Sequence, residues 1–193
     1  MKRESGSVLM ISLVLLLILT IVGVASISGV SMTGKMTNSQ RDYDVAFEMA
    51  EAALIQGERW LDDYDGDWEQ AHVDENCTGD SCWTINCNAG KCFRGSYPAG
   101  SNTLCEVDNS YDDPVWQTES IWNSNAFTYS QTIPAVEPPK YIVEFMCYTP
   151  RDPESYTVPP NYDSWVRIYR ITALGYGTHP ETRVMLQSTY RID

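Results

Sequence analysis

Basic residues are scarce in this sequence of 193 residues, where 13 lysines and arginines stand against 26 aspartates and glutamates. The formal net charge is -13 at pH 7. Proteins that bind nucleic acid neutralise phosphates with clusters of lysine and arginine, and this chain has no such cluster. The composition therefore argues against a nucleic-acid partner.

Motifs of catalysis are also lacking. The chain has 2 histidines, His72 in an acidic stretch and His179 beside Pro180. Neither histidine belongs to a recognisable nucleophile motif. The sequence contains no HExxH and no glycine-rich phosphate loop after a strand. We therefore expect a protein that is not an enzyme and that needs no cofactor.

Charge and proline are missing from a long stretch near the N-terminus. Residues 8–30 contain neither. About 20 apolar residues in a helix cross a hydrocarbon core of about 30 Å, so residues 7–34 are predicted to form a transmembrane helix. Lys2 and Arg3 before it place the N-terminus in the cytoplasm. A cleavable signal peptide is the alternative, but its apolar core has only about 7 to 15 residues.

The helical pattern continues beyond residue 34, and the first proline is Pro98. Apolar or small residues recur there with the spacing of one stripe on a helix. We expect an amphipathic helix that continues the membrane segment and ends near residue 63. The residues of the predicted stripe are Met36, Tyr43, Phe47, Ala50, Leu54, Gly57 and Leu61.

Six cysteines follow the apolar stretch. An even number of cysteines in an oxidising compartment predicts disulfides, here three, whose pairing the sequence does not decide. The first four cysteines lie in a stretch too polar to build a core of its own, and residues 64–139 show little apolar periodicity, so bridges of about 2 to 4 kcal/mol each are expected to order this insertion. A zinc site of four cysteines is the alternative, although the usual CxxC pairs are missing. The cysteines are Cys77, Cys82, Cys87, Cys92, Cys105 and Cys147.

The C-terminal third is rich in β-branched and aromatic residues. Residues 141–148, 165–176 and 182–192 read as strands, with turn residues at 177–181 between the last two. We predict an antiparallel sheet over residues 140–193, one face of which the helical stripe covers. The expected fold class is α+β, with a long N-terminal helix on the sheet and a disulfide-tied insertion.

An acidic run follows the predicted helix. Asp63, Asp65 and Asp67 alternate like the first ligands of a calcium loop. The glycine and glutamate that an EF-hand requires further on are replaced by Trp68 and Asp74. We expect a solvated acidic turn and predict no metal site, with calcium as the alternative.

Tryptophan is frequent, with 6 residues. Such residues could form a ligand platform, but small disulfide-rich domains usually place them in the core. The sequence indicates no particular carbohydrate site. The tryptophans are Trp60, Trp68, Trp83, Trp116, Trp122 and Trp165.

The charged leader that ends in Gly6, followed by Ser7 and the apolar helix, resembles a type IV prepilin leader. In such leaders a membrane peptidase cuts after the glycine and methylates the new N-terminus. Residues 12–20 (SLVLLLILT), 46–54 (AFEMAEAAL) and 186–191 (LQSTYR) are similar to PilX-type minor pilins of type IV pili.

This resemblance implies a leader at residues 1–6, a filament-core helix at 7–34 and a periplasmic pilin-like domain at 35–193. Major pilins carry a glutamate at the position of Ile11, where it neutralises the amine of a neighbouring subunit. Its absence is shared with the K-type pseudopilins of type II secretion, and it implies a place at the filament tip. Small residues allow close helix contacts within lipid, and here they are Gly23, Ser26 and Gly29.

The function that the resemblance implies is that of a minor pilin, stored in the inner membrane and then displayed at the pilus tip on the cell surface. Its implied partners are the prepilin peptidase, other minor pilins, the major pilin and a PilY-type adhesin, in a machine for adhesion and twitching motility. Two alternatives remain: a K-type pseudopilin of type II secretion, and a membrane-anchored module that binds calcium or carbohydrate.

Overall fold

The structure is a computed structural model that describes residues 7–64, 70–73, 77–93, 114–130, 135, 137–151 and 165–192. The chain divides into two units, Met1–Asp42 and Tyr43–Asp193. The second unit contains the sheet, the disulfides and the hydrophobic core described below.

Helix α1 spans Ser7–Tyr64, 58 residues without a break. It contains no proline, which fits its length, and it ends within a residue or two of the predicted position. Every described side chain from residue 8 to residue 24 is exposed. Within the described part of the chain, no helix is both long enough and apolar enough to cross a membrane.

The sheet has five strands. They are β1 (Lys91–Phe93), β2 (Phe127–Thr128), β3 (Lys140–Pro150), β4 (Trp165–Tyr176) and β5 (Arg183–Ile192). The pairs β3–β4 and β4–β5 are antiparallel, which confirms the predicted C-terminal sheet. Two short strands were not predicted from the sequence: β1, which pairs with β3 in parallel, and the two-residue β2, which pairs with β3 antiparallel. The sheet is therefore mixed.

The helix backbone lies very close to the sheet at Gly175 of β4. A Cβ atom added there would overlap the carbonyl oxygen of Ala46 and the amide nitrogen of Ala50. Further along the helix, a Cβ added at Gly57 would lie 2.7 Å from Cγ2 of Ile171 and 3.1 Å from Cδ2 of Tyr141. Glycine on either side of the contact thus allows α1 to pack against the strands.

This close approach changes which helix residues are buried. Tyr43 and Phe47, which the sequence placed in the stripe that faces the sheet, are 49% and 36% exposed. That part of the prediction is wrong, because a narrow contact accommodates small side chains rather than aromatic rings. The buried residues of this helix segment are Ala46, Met49, Ala50, Ala53, Gly57 and Leu61.

The segment between helix and sheet contributes to the core on both faces of the sheet. Trp83 and Phe93 pack on the helix side, with Tyr141 and Ala173. Alternate strand residues such as Ile142 point to the opposite face, which is covered by a 3-10 turn (Val115–Gln117) and the short helix α2 (Glu119–Ser124). The aromatic and aliphatic residues of this segment are thus buried against the sheet rather than in a core of their own.

Candidate functional site

Two disulfides close short loops in the cysteine-rich segment. Cys77 is bonded to Cys82, and Cys87 to Cys92. Since zinc binds thiolates, these four oxidised cysteines do not form the alternative zinc site. Cys147 is disulfide-bonded as well, and Cys105 lies outside the described residues.

A tight turn follows the first disulfide loop. The carbonyl oxygen of Thr84 accepts hydrogen bonds from the amide of Cys87 at 3.0 Å and from the amide of Phe93 at 2.9 Å. Cys87 has a φ of 57° and Gly90 a φ of 74°, both in the left-handed region. A Cβ at Gly90 would overlap the ring of Phe127. This turn brings β1 alongside β3.

Trp83 attaches the disulfide loops to the end of α1. The side chain is 2% exposed, and its Nε1 donates to the hydroxyl of Tyr64 at 3.2 Å. The same hydroxyl lies 3.3 Å from Nδ1 of His72, and Tyr64 stacks on Trp60 with ring centroids 4.9 Å apart. The backbone amide of Trp83 also donates to the carbonyl of His72 at 2.8 Å. His72 is thus part of a structural hydrogen-bond network at the helix end.

A lysine adds charge to this junction. Nζ of Lys91 lies 5.8 Å from the centroid of the Tyr64 ring and donates to the backbone carbonyl of Asp80. Burial lowers the pKa of Lys91, and the nearby Asp80 carboxylate opposes that shift. The cation therefore joins the two disulfide loops to the aromatic end of α1.

The last strand is hydrogen-bonded to the same end of the helix. The hydroxyl of Ser188 donates to Glu58 at 3.0 Å, and the hydroxyl of Tyr190 donates to Asp62 at 2.7 Å. The hydrogen bond to Asp62 is the main cause that raises the pKa of Tyr190. These two hydrogen bonds hold β5 against the end of α1.

A groove of about 360 Å³ lies on the other face of the sheet. One wall comes from the 3-10 turn and α2, and the other from β4 and β5. The indole Nε1 of Trp122 donates to the carbonyl of Trp116 at 2.8 Å, which fixes the first wall. Nε1 of Trp116 is buried and has no hydrogen-bond partner among the described residues. The lining residues are Trp116, Gln117, Glu119, Trp122, Asn123, Leu174, Tyr176, Arg183 and Met185.

Charges of both signs surround Tyr176 in this groove. Burial raises the pKa of Tyr176, and the carboxylates of Glu137 and Glu119 act in the same direction, while Arg183 opposes them. Nζ of Lys140 lies 5.8 Å from the centroid of the Tyr176 ring. The groove therefore combines aromatic surface with a balanced set of charged groups.

The residues proposed for calcium are not brought together in the described part of the chain. Asp63 is exposed on the last turn of α1, and Asp65 and Asp67 lie outside the described residues. Among the residues that the structure describes, no group of three His, Cys, Asp or Glu side chains could hold a metal ion. His179, the second histidine, lies in the exposed turn before β5, with Nδ1 3.2 Å from the hydroxyl of Thr178.

The processing position and the small residues of the helix are described only in part. Gly6 lies outside the described residues, and Ser7 is the first residue of α1. A Cβ added at Gly23 would meet no atom within 4 Å. Ser26 and Gly29 belong to α1, but their side chains are not among those described.

The N-terminal part of α1 presents a long apolar surface. Leu9 is 70% exposed, Leu13 61% and Leu16 63%. Further along, Met36 and Tyr43 are also exposed. Apolar surface of this extent is typical of a site of protein or membrane contact.

Two family models match the chain, one over its C-terminal part and one over its N-terminal part. The model of the type IV pilus assembly protein PilX C-terminal region matches residues 71–192, which is more than half of the chain. The PilX N-terminal model matches residues 5–54. The chain belongs to the PilX family. No curated protein and no solved structure matches it.

Membership of the PilX family confirms the resemblance inferred from the sequence. PilX-family proteins are structural components of type IV pili, so the chain is a pilus assembly protein that associates with other pilus components. The two matched ranges include most of α1 and the whole sheet. The groove on the outer face and the tight turn after Trp83 were not predicted from the sequence. The glycine with positive φ, Gly90, was the available signal for the turn.

Proposed function

We propose that this chain is a minor pilin that takes part in starting type IV pilus assembly within a pilus-tip complex. Its partners there are other minor pilins, the major pilin and a PilY-type adhesin. The observation that carries this proposal is the exposed apolar surface of α1 in a PilX-family chain. Leu9, Leu13 and Leu16 each expose more than half of their surface, and burial of such side chains contributes about 25 cal/mol per Å².

The segment that carries this surface also suits storage in a membrane before assembly. Residues 8–30 contain no charged side chain, so no ion has to be desolvated when they enter lipid. Gly23 lies within this stretch and has open space in place of a side chain. A second helix can approach closely at such a position. We propose that Gly23, together with Ser26 and Gly29, packs against neighbouring pilin helices.

Ile11 supports a place at the tip of the filament. A carboxylate at this position would neutralise the amine of an adjacent subunit, and burying it without that amine would be costly in lipid. A subunit with isoleucine there has no acceptor for a charged N-terminus beside it. Such a subunit is suited to a position where no further subunit presents its amine.

Replacing residues 8–30 with an unrelated membrane span of equal length tests the proposal. We expect the variant to remain folded and membrane-bound but to abolish or sharply reduce the number of pili, and we expect the same of deletion of the protein. Gly23→Leu should have a similar but weaker effect, and Gly34→Ala is the matched control, because Gly34 also meets no atom within 4 Å. Normal pilus numbers in the chimera would show that the helix is only an anchor.

Processing and partners are tested separately. Intact mass of the membrane-extracted protein should correspond to a methylated chain that begins at Ser7, and Gly6→Leu should leave an unprocessed and unassembled precursor. A mature chain that begins near Ser28 would indicate an ordinary signal peptide instead. After solubilisation, we expect co-purification of pilus proteins and a PilY-type adhesin. Recovery of secretion-machine partners would favour a pseudopilin.

A further inference from the structure

The groove on the outer face of the sheet has no role in the assembly proposed above, which depends on α1. We propose that this groove binds a neutral saccharide. Its walls come from segments far apart in the sequence, Val115–Gln117 and Glu119–Ser124 on one side and β4 and β5 on the other. Its volume of about 360 Å³ is at the lower end of small-molecule pockets, which suits one or two sugar rings.

The polar groups of the groove match a ligand that both donates and accepts hydrogen bonds. Trp116 lines the groove, and its Nε1 is buried without an acceptor among the described residues. An unpaired buried donor costs free energy, which a ligand oxygen recovers when a small movement of the indole brings the two together. Gln117 and Asn123 offer amide donors and acceptors, Glu119 offers acceptors, and Arg183 offers donors. Sugar hydroxyls can pair with all of these groups. A hydrocarbon ligand would leave them unpaired.

Apolar contact is available beside these polar groups. Met185 is 37% exposed, and the indole of Trp116 is partly buried in the wall opposite. The rings of Trp122 and Tyr176 are 6% and 8% exposed, so they support the walls more than they offer free faces. The C–H face of a sugar ring fits such a surface of aromatic and thioether groups.

The charges indicate a neutral ligand rather than an ion. The carboxylates of Glu119 and Glu137 raise the pKa of Tyr176, and the guanidinium of Arg183 lowers it. Lys140, whose Nζ lies 5.8 Å from the centroid of the same ring, pairs with Glu137 at 3.8 Å beside the groove. Two carboxylates and two cations leave no excess of either sign to select a charged group. A free phosphate would in addition meet a chain of net charge -13.

The test uses the full chain, solubilised in a detergent without a sugar head group. Common neutral monosaccharides and disaccharides are screened by saturation-transfer NMR up to tens of millimolar, and the best ligand is titrated by tryptophan fluorescence. Trp116→Phe keeps an aromatic ring and removes the donor, so we expect about tenfold weaker binding. The melting temperature should fall by only a few degrees, because Phe keeps part of the packing against the core cluster and the donor has no partner to lose among the described residues. Arg183→Ala should also weaken binding.

Arg191→Ala is the matched control, because Arg191 lies on the same strand and the same face of the sheet but outside the groove. We expect it to bind like the unaltered chain. Failure of every saccharide to show saturable binding would overturn the proposal. Binding that Trp116→Phe and Arg183→Ala leave unchanged would also overturn it, as would preference for an anion or an acidic peptide. Pilus numbers in Trp116→Phe cells should be normal, so this test is independent of the assembly proposal.

Discussion

Gly175→Ala should destabilise the contact between α1 and the sheet more than alanine at Gly57, the other described glycine at that contact. The new Cβ overlaps two backbone atoms of α1, the carbonyl oxygen of Ala46 and the amide nitrogen of Ala50. Backbone cannot rotate away as a side chain can, so the helix as a whole has to move outwards. Overpacking of a core costs about 1 to 3 kcal/mol, and we expect the upper end here.

For a chain of this size, a loss of about 3 kcal/mol lowers Tm by roughly 6 to 12 °C. The assay is thermal unfolding followed by circular dichroism, with urea unfolding as a second measurement. Hydrogen exchange should show the largest loss of protection around Ala46 and Ala50, since the contact is local to them. A Tm for Gly175→Ala equal to that of the unaltered chain would refute the argument that the helix backbone rests on this glycine.

Alanine substitutions at two other glycines serve as controls for this measurement. The added Cβ at Gly57 lies 2.7 Å from Cγ2 of the buried Ile171, whose β-branched side chain shifts only at a cost, while alanine gains up to about 1 kcal/mol of helix propensity. We expect Gly57→Ala to be destabilising, but less so than Gly175→Ala. Gly34→Ala meets no atom within 4 Å and should not destabilise the chain. The predicted order of Tm is therefore Gly34→Ala highest, then Gly57→Ala, then Gly175→Ala.

Three further predictions concern the same domain. Reduction of the Cys77–Cys82 disulfide, or its replacement by two serines, should lower the free energy of unfolding by about 2 kcal/mol. Peptide-resolved hydrogen exchange should increase more in residues 77–93 than in β4. An equal increase in both segments would contradict this prediction. Burial raises the pKa of Tyr141 to about 12 from 10.0, so the stabilising protonated form is fully present below pH 10 and is lost as the pH rises towards 12. Denaturant unfolding across that range should show falling stability, and Tyr141→Phe should show a smaller fall. Arg170 donates to Glu144 at 2.9 and 2.5 Å, and that carboxylate side chain is 4% exposed. Arg170→Ala should therefore lower the free energy of unfolding by about 3 kcal/mol, because it leaves the buried Glu144 carboxylate unpaired with Arg170. The double variant Glu144→Leu, Arg170→Met should recover part of this loss. A double variant no more stable than Arg170→Ala would show that the buried charge is not the cause.

The helix and the three long strands could be predicted because their signals are local. Uninterrupted helical spacing gave the end of α1 near Tyr64, and runs of β-branched and aromatic residues gave β3 to β5. The face of the helix could not be predicted in full, since the periodicity marks large apolar residues such as Tyr43. The contact selects small ones such as Ala50, because Gly175 brings the backbones together.

The short strands and the groove depend on contacts between distant residues. Strand β1 has three residues and pairs in parallel with the middle of β3, so no alternation along its own length reveals it. The groove joins Trp116 to Arg183, and only the folded sheet makes them neighbours. From the sequence, Trp116 could belong either to the core or to a ligand platform, and its local pattern does not decide between them. In the folded chain Trp116 lines the groove, and its Nε1 is buried.

The hydrogen bonds between α1 and β5 have a consequence for the timing of biogenesis. Ser188 lies 130 residues from Glu58, and Tyr190 lies 128 residues from Asp62. Contacts of such separation form late, because the intervening chain must close a long loop before they are gained. The core on the helix side stays incomplete until β5 has been synthesised. A chain that ends before β5 therefore lacks both hydrogen bonds at the end of α1, and its open core is accessible to proteases.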